Sequence, residues 1–258
     1  MKKRHFTVSM GVCIIFFACL FGCTAPKQLI KSGASHTDFT SAVNAISEPD
    51  ASLETTVNMP KQDTSNMVDE RFELLSLVFR LAGREEYSDV STGYQQTLVS
   101  EFVKYKELDA VTYAANLPLG YDAVFKLSVH MRKEGEQFAL IDDIDSLVED
   151  GRWTRQSAAN FLKLLNDFYA ETGFAAFYQS NLDFYKAETQ LFIDNTYSGI
   201  DLEWFGAYVE PDNLRCVYSP SSTRNNYGAT VNDTIVYCAV SGNGGASTHE
   251  YCHSFANP

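Results

Sequence analysis

Positive charge is what this 258-residue chain has least of: 20 Lys and Arg stand against 33 Asp and Glu, a formal net charge of −13. That balance excludes binding to nucleic acid or to anionic lipid through a basic surface, because such binding needs Lys and Arg to neutralise phosphate. No internal repeat is evident, so no repeat architecture is expected. Cysteine is scarcer than its count of six implies. Cys13, Cys19 and Cys23 fall in the amino-terminal segment, leaving only Cys216, Cys238 and Cys252, an odd number that excludes a closed disulfide framework. Cys216 and Cys238 lie in neighbouring strand-like segments and are placed to pair across a hairpin; spacing alone does not decide whether they do. Histidine is also scarce, at five, and two of the five stand four residues apart near the carboxyl end.

Long apolar runs are limited to one, Phe6 to Phe21, too short for a membrane span. Lys2, Lys3 and Arg4 precede it, and the three pieces read as a targeting segment, residues 1–22. It closes on Leu20-Phe21-Gly22-Cys23, which resembles a bacterial lipobox, with Phe21 bulkier than usual. Cys23 is then the lipidated new amino terminus; the alternative is an ordinary secretory signal with an incidental cysteine. Removing residues 1–22 takes three positive charges and no acid from −13, leaving −16. Residues 23–66, rich in Ser, Thr, Ala, Asp and Lys, read as the lipidated cysteine and a flexible tether. The expectation is an exported bacterial lipoprotein held by its lipid on the periplasmic or surface side, at the outer membrane.

From Val68 the pattern is helical. Phe72, Leu75, Val78, Phe79 and Ala82 recur at helical spacing up to Gly83. Further helices are expected over residues 94–115, 121–132, 140–149, 154–169 and 174–193. The aromatic series Phe168, Tyr169, Phe174, Phe177, Tyr178, Phe184 and Tyr185 reads as core before sugar platform. Asp142-Asp143-Ile144-Asp145 reads as a helix start, since it lacks a calcium loop's glycine and final glutamate. Asp201-Leu202-Glu203-Trp204-Phe205 reads as a helix start whose Trp packs inward. After Asp201 come β-branched runs at residues 214–218 and 234–240, with Asn225-Asn226-Tyr227-Gly228 as a turn between them. The fold class is α+β, mostly α: a helical region over 67–200, then a strand-containing, zincin-like region over 201–258.

His249-Glu250-Tyr251-Cys252-His253 matches H-E-x-x-H. The spacing puts His249 and His253 on one face of a helix as zinc ligands, with Glu250 as general base for a metal-bound water. The strand before it is expected to be an edge that takes an extended peptide. Cys252 points elsewhere on the helix and reads as packing. The bland reading is a helix with two surface histidines. A third ligand is missing: a metzincin pattern needs Gly at 256, where Ala stands, and His at 259. A glutamate-zincin arrangement with a later acidic ligand remains, or another distal ligand. His5 leaves with the signal, His36 is in the tether, and His130 reads as a packing or surface residue.

Val68-Asp69-Glu70-Arg71-Phe72-Glu73-Leu74-Leu75-Ser76, Asp201 to Phe205, Asn226-Tyr227-Gly228 and the terminal His249 to Pro258 together resemble a family of uncharacterised exported bacterial lipoproteins, a domain of unknown function with a zincin-type site. The resemblance covers residues from about 67 onward. It implies a membrane-anchored zinc metallopeptidase acting on extracytoplasmic protein or peptide, with ligands His249 and His253 and catalytic Glu250. Family members run longer, so the third zinc ligand is expected outside this chain and activity is expected to be impaired. The competing expectation is a non-enzymatic surface lipoprotein or pseudoenzyme that binds peptide or glycan.

Overall fold

The helix the whole molecule is built around, α1 (Glu70–Leu81), starts at Asp69, whose carboxylate accepts from the Arg71 backbone N–H and so satisfies one of the helix's open amides. Arg71 folds back to hold the same carboxylate at 2.6 Å and donates onward to the Met131 carbonyl. Every residue from Phe72 to Arg80 is buried, so α1 is packed on all sides rather than along one stripe. It stops where Gly83 takes φ +72°, a left-handed conformation that glycine adopts without a steric penalty.

The computed structural model describes residues 64–119, 121–207, 213–222, 226–232, 235–240, 248–250 and 252. All belong to one unit, Val57–Pro258. The fold class is α+β and mostly α. The helices that follow α1 are α2 (Gly93–Phe102), α3 (Asp109–Asn116), α4 (Tyr121–Val129), α5 (Ile144–Val148), α6 (Arg155–Thr172), α7 (Phe174–Ser180), α8 (Leu182–Asn195) and α9 (Leu202–Gly206). Among the described residues, no helix is long and apolar enough to cross a membrane.

Several elements differ from their sequence expectation. The second helix is broken by a 3-10 turn at Val103–Tyr105, and the stretch from Phe174 is broken at Asn181. The third helix ends at Val129, and Met131–Glu134 (β1) pairs with Gln137–Leu140 (β2) as a hairpin turning through Gly135. Tyr227 and Gly228 are not a turn: they open strand β4 (Tyr227–Val231). Trp204 is 46 % exposed while Phe205 is 1 % exposed, so it is the phenyl ring of α9, not the indole, that packs inward. The aromatic series is core, with Phe168, Tyr169, Phe174, Tyr178 and Tyr185 buried. Asp143 caps α5, as a helix start should.

Strands β3 (Leu214–Tyr218), β4 and β5 (Ile235–Val240) form one sheet in the order β3-β5-β4, with β3 parallel and β4 antiparallel to β5. The period-2 alternation of a strand gives the sheet two buried faces. Val217, Tyr227, Ala229 and Val231 enter the main core, where Tyr227 stacks against Phe125 and meets Phe72 edge-on. Leu214, Cys216 and Cys238 face a second cluster with Phe192, Tyr197, Ile200 and Phe205. The Met67 carbonyl accepts from the Tyr218 N–H at 2.8 Å, so the segment before α1 extends the sheet past β3.

The end of β3 is fixed by a carboxylate. Glu73 of α1 is fully buried and accepts from the hydroxyls of Ser219 (2.6 Å), Ser221 (2.9 Å) and Tyr94 (2.9 Å). Arg80, two turns further along the same face of α1, donates to the Ser221 carbonyl. Ser219 to Ser222 is thereby a buried loop whose polar groups are drawn onto α1.

Candidate metal and catalytic site

Thr248, His249, Glu250 and Cys252 are helical. His249 is exposed and Glu250 half-buried, so adjacent residues of one turn present an imidazole to solvent and a carboxylate to the sheet. Cys252 packs on the partly buried rim of the second cluster, which agrees with its reading as a packing residue. The turn therefore rests on the sheet face that carries Cys216 and Cys238.

Gly228 is what lets it rest there. A Cβ at position 228 would lie 3.1 Å from Glu250 Oε2 and 3.6 Å from the Glu250 carbonyl oxygen, nearer than ordinary van der Waals contact in the first case. Glycine leaves this space without displacing Glu250, and its effect is a shallow seat for the Glu250 side chain on a strand that is outermost among the described residues. Gly228 is the register partner of Cys238, and the Glu250 charge is one cause, after burial and the neighbouring Cys216, that pushes the Cys238 thiol up.

This geometry corrects the expected role of the last strand. β5 is the central strand, occupied on one side by β3 and on the other by β4. Among the described residues, the sheet edge on Glu250's side belongs to β4. Cys216 and Cys238 are likewise not hairpin neighbours: they face each other across the parallel β3–β5 pair.

His253 and Cys23 lie outside the described residues. His130 is not brought to the site. It is fully buried at the end of α4, with Nδ1 2.6 Å from the Lys126 carbonyl and Nε2 2.7 Å from Ser146 Oγ. A carbonyl only accepts, so Nδ1 carries the proton. Burial pushes this imidazole's pKa down, in keeping with a satisfied packing histidine.

Among the described residues, no three His, Cys, Asp or Glu side chains are grouped to hold a metal ion. What is present is of the kind zinc takes: the exposed imidazole of His249, and beside it the Glu250 carboxylate packed closely against Gly228. Sequence reasoning missed Gly228, although an isolated glycine bounded by strand-forming residues is the ordinary signal of a close approach. It also missed the Glu73 network, for which the sequence carries no signal, because a helical glutamate normally faces water. The chain was compared with known proteins at three levels, and no family model, curated protein or solved structure matches it.

Proposed function

We propose that this chain is a membrane-anchored zinc metallopeptidase of extracytoplasmic protein or peptide, exported as a lipoprotein and held by lipid on Cys23, with impaired activity because His249 and His253 supply only two of the protein ligands such a site needs. The observation that carries the reading is the placement of Glu250: next to an exposed His249, on a helical turn seated against Gly228. His249 and His253 would hold the zinc. The metal, when bound, supplies a Lewis acid that makes water nucleophilic near neutral pH.

The chain's own residues do the rest. Glu250 takes the proton of the attacking water and hands it to the leaving amine, which requires a carboxylate held still and ionised beside the reacting carbonyl. The β4 backbone, packed directly under Glu250, is the surface along which an extended peptide would lie. An acidic chain with a lipid anchor meets its substrate by tethering rather than by charge attraction to the membrane.

The test is zinc content by atomic emission on the purified full chain, with hydrolysis of a fluorogenic peptide library. Weak zinc uptake, as two imidazoles without a third protein ligand would give, lost in His249→Ala, together with low hydrolysis that falls further in Glu250→Gln, is the expected result. Folded protein that takes up no zinc and shows peptide binding unaffected by His249→Ala would favour a non-enzymatic binding lipoprotein instead.

A further inference from the structure

The second cluster contains two cysteines in direct register. Cys216 of β3 is the Cα partner of Cys238 of β5, so both side chains leave the sheet on the same face. Neighbouring strands lie about 4.8 Å apart, which is inside the window of about 4.4–6.8 Å between Cα atoms that a disulfide spans. Both residues are buried in the same cluster, at 3 % and 0 % exposure, alongside Tyr197. Cys216 also lines a cleft of about 170 Å³ that opens between β3, Tyr237 and the Asn66–Asp69 segment. Cys252 packs against the same cluster from its rim.

We propose that Cys216 and Cys238 are a redox pair that closes into a disulfide across β3 and β5 when the chain folds in the presence of a small-molecule disulfide. In the step, one thiolate attacks the small disulfide and expels one of its thiols. The second cysteine then attacks the mixed disulfide and expels the other. Two S–H bonds become one S–S bond, and the electrons and protons leave on two small thiols. Burial holds the Cys238 thiol above its ordinary pKa, so exchange in the folded protein is slow and closure belongs to folding, when the pair is still open to solvent. The bridge joins positions 22 apart and locks β3 to the strand whose neighbour seats Glu250.

The experiment uses the full chain in detergent, unfolded in urea and refolded in glutathione buffer at an oxidising ratio. It is then blocked with an alkylating agent, digested and mapped by mass spectrometry. The expected result is a peptide pair joined through Cys216 and Cys238, with Cys252 alkylated. The melting temperature of the bridged protein should fall by several degrees on reduction, because the bridge restricts the unfolded chain. That shift should persist in Cys252→Ser and vanish in Cys238→Ser. Alkylation of both Cys216 and Cys238 in protein that has refolded, or a bridge from either of them to Cys252, overturns the proposal. The mapping is done on the natural sequence, so a variant that fails to fold does not blunt it, and no outcome depends on zinc.

Discussion

Replacing Glu73 tests the claim that a buried carboxylate fixes the sheet to the helical body. In Glu73→Ala, three hydroxyls lose their shared acceptor in a site with no solvent. Two of the losses are cushioned: Tyr94 keeps Tyr185 at 2.9 Å, and Ser219 and Ser221, 3.1 Å apart, can bond each other. One orphaned hydroxyl costs about 1–3 kcal/mol, and the void left by the side chain about 1 kcal/mol more. Arg80, for which Glu73 is the largest favourable charge, is left half-compensated in a buried position. The expected loss is about 3–5 kcal/mol, a large share of the roughly 5–15 kcal/mol that holds a domain together. Urea unfolding followed by far-ultraviolet circular dichroism measures it. A loss under about 1 kcal/mol would refute the reasoning, because it would mean that the network is redundant. The neutral isostere Glu73→Gln adds a pH test. Burial pushes the Glu73 carboxyl above its ordinary 4.5, so the folded state holds this proton more tightly than the unfolded chain. Stability from that source is complete below pH 4.5 and is lost as pH rises through the folded value. Relative to Glu73→Gln, the natural protein should therefore lose stability as pH is raised from 4 to 7, and an advantage that grows with pH would contradict the sign.

Gly228→Ala should leave the melting temperature nearly unchanged, because the Glu250 side chain can yield a few tenths of an ångström, yet lower peptide hydrolysis about 10-fold by displacing the general base; equal kcat/KM in the two proteins would argue against the seat. Gly173→Ala places a Cβ at φ +70°, between α6 and α7, and should cost about 1 kcal/mol in urea unfolding, more than the same change at Gly93, where φ is ordinary. Trp153→Phe removes the indole N–H that donates to the Ala123 carbonyl at 2.8 Å and hollows the stack on Phe161; a loss of about 2–3 kcal/mol is expected, and its tryptophan fluorescence signal on unfolding should disappear with it.

The helical part of the fold was legible because it rests on local chemistry. Phe72, Leu75, Val78 and Phe79 repeat at helical spacing, Asp69 caps, and Gly83 stops the helix, all within one stretch of chain. The breaks at Val103–Tyr105 and Asn181 were not legible, since apolar spacing continues across them and only packing against other helices decides where the axis turns. Trp204 was misjudged for the same reason: sequence says that α9 has an apolar side, and the neighbours choose which ring it offers. At the candidate site, H-E-x-x-H named His249, Glu250 and His253 with no help from structure. It could not name Gly228, whose role is to be missing a side chain where another element arrives.

What the sequence determined by itself is what depends on residues close together in the chain: the acidic balance, the limits of α1, the strand at Leu214–Tyr218, and the pairing of an imidazole with a carboxylate on one turn. What only the tertiary structure decided is what depends on strand order. It placed β5 between β3 and β4, turned Cys216 and Cys238 toward each other, buried Glu73 under the Ser219–Ser222 loop and laid Glu250 over Gly228. These contacts join residues from about 20 to about 150 positions apart, and the free energy that selects them comes from burying both faces of the sheet at once, which no local pattern records.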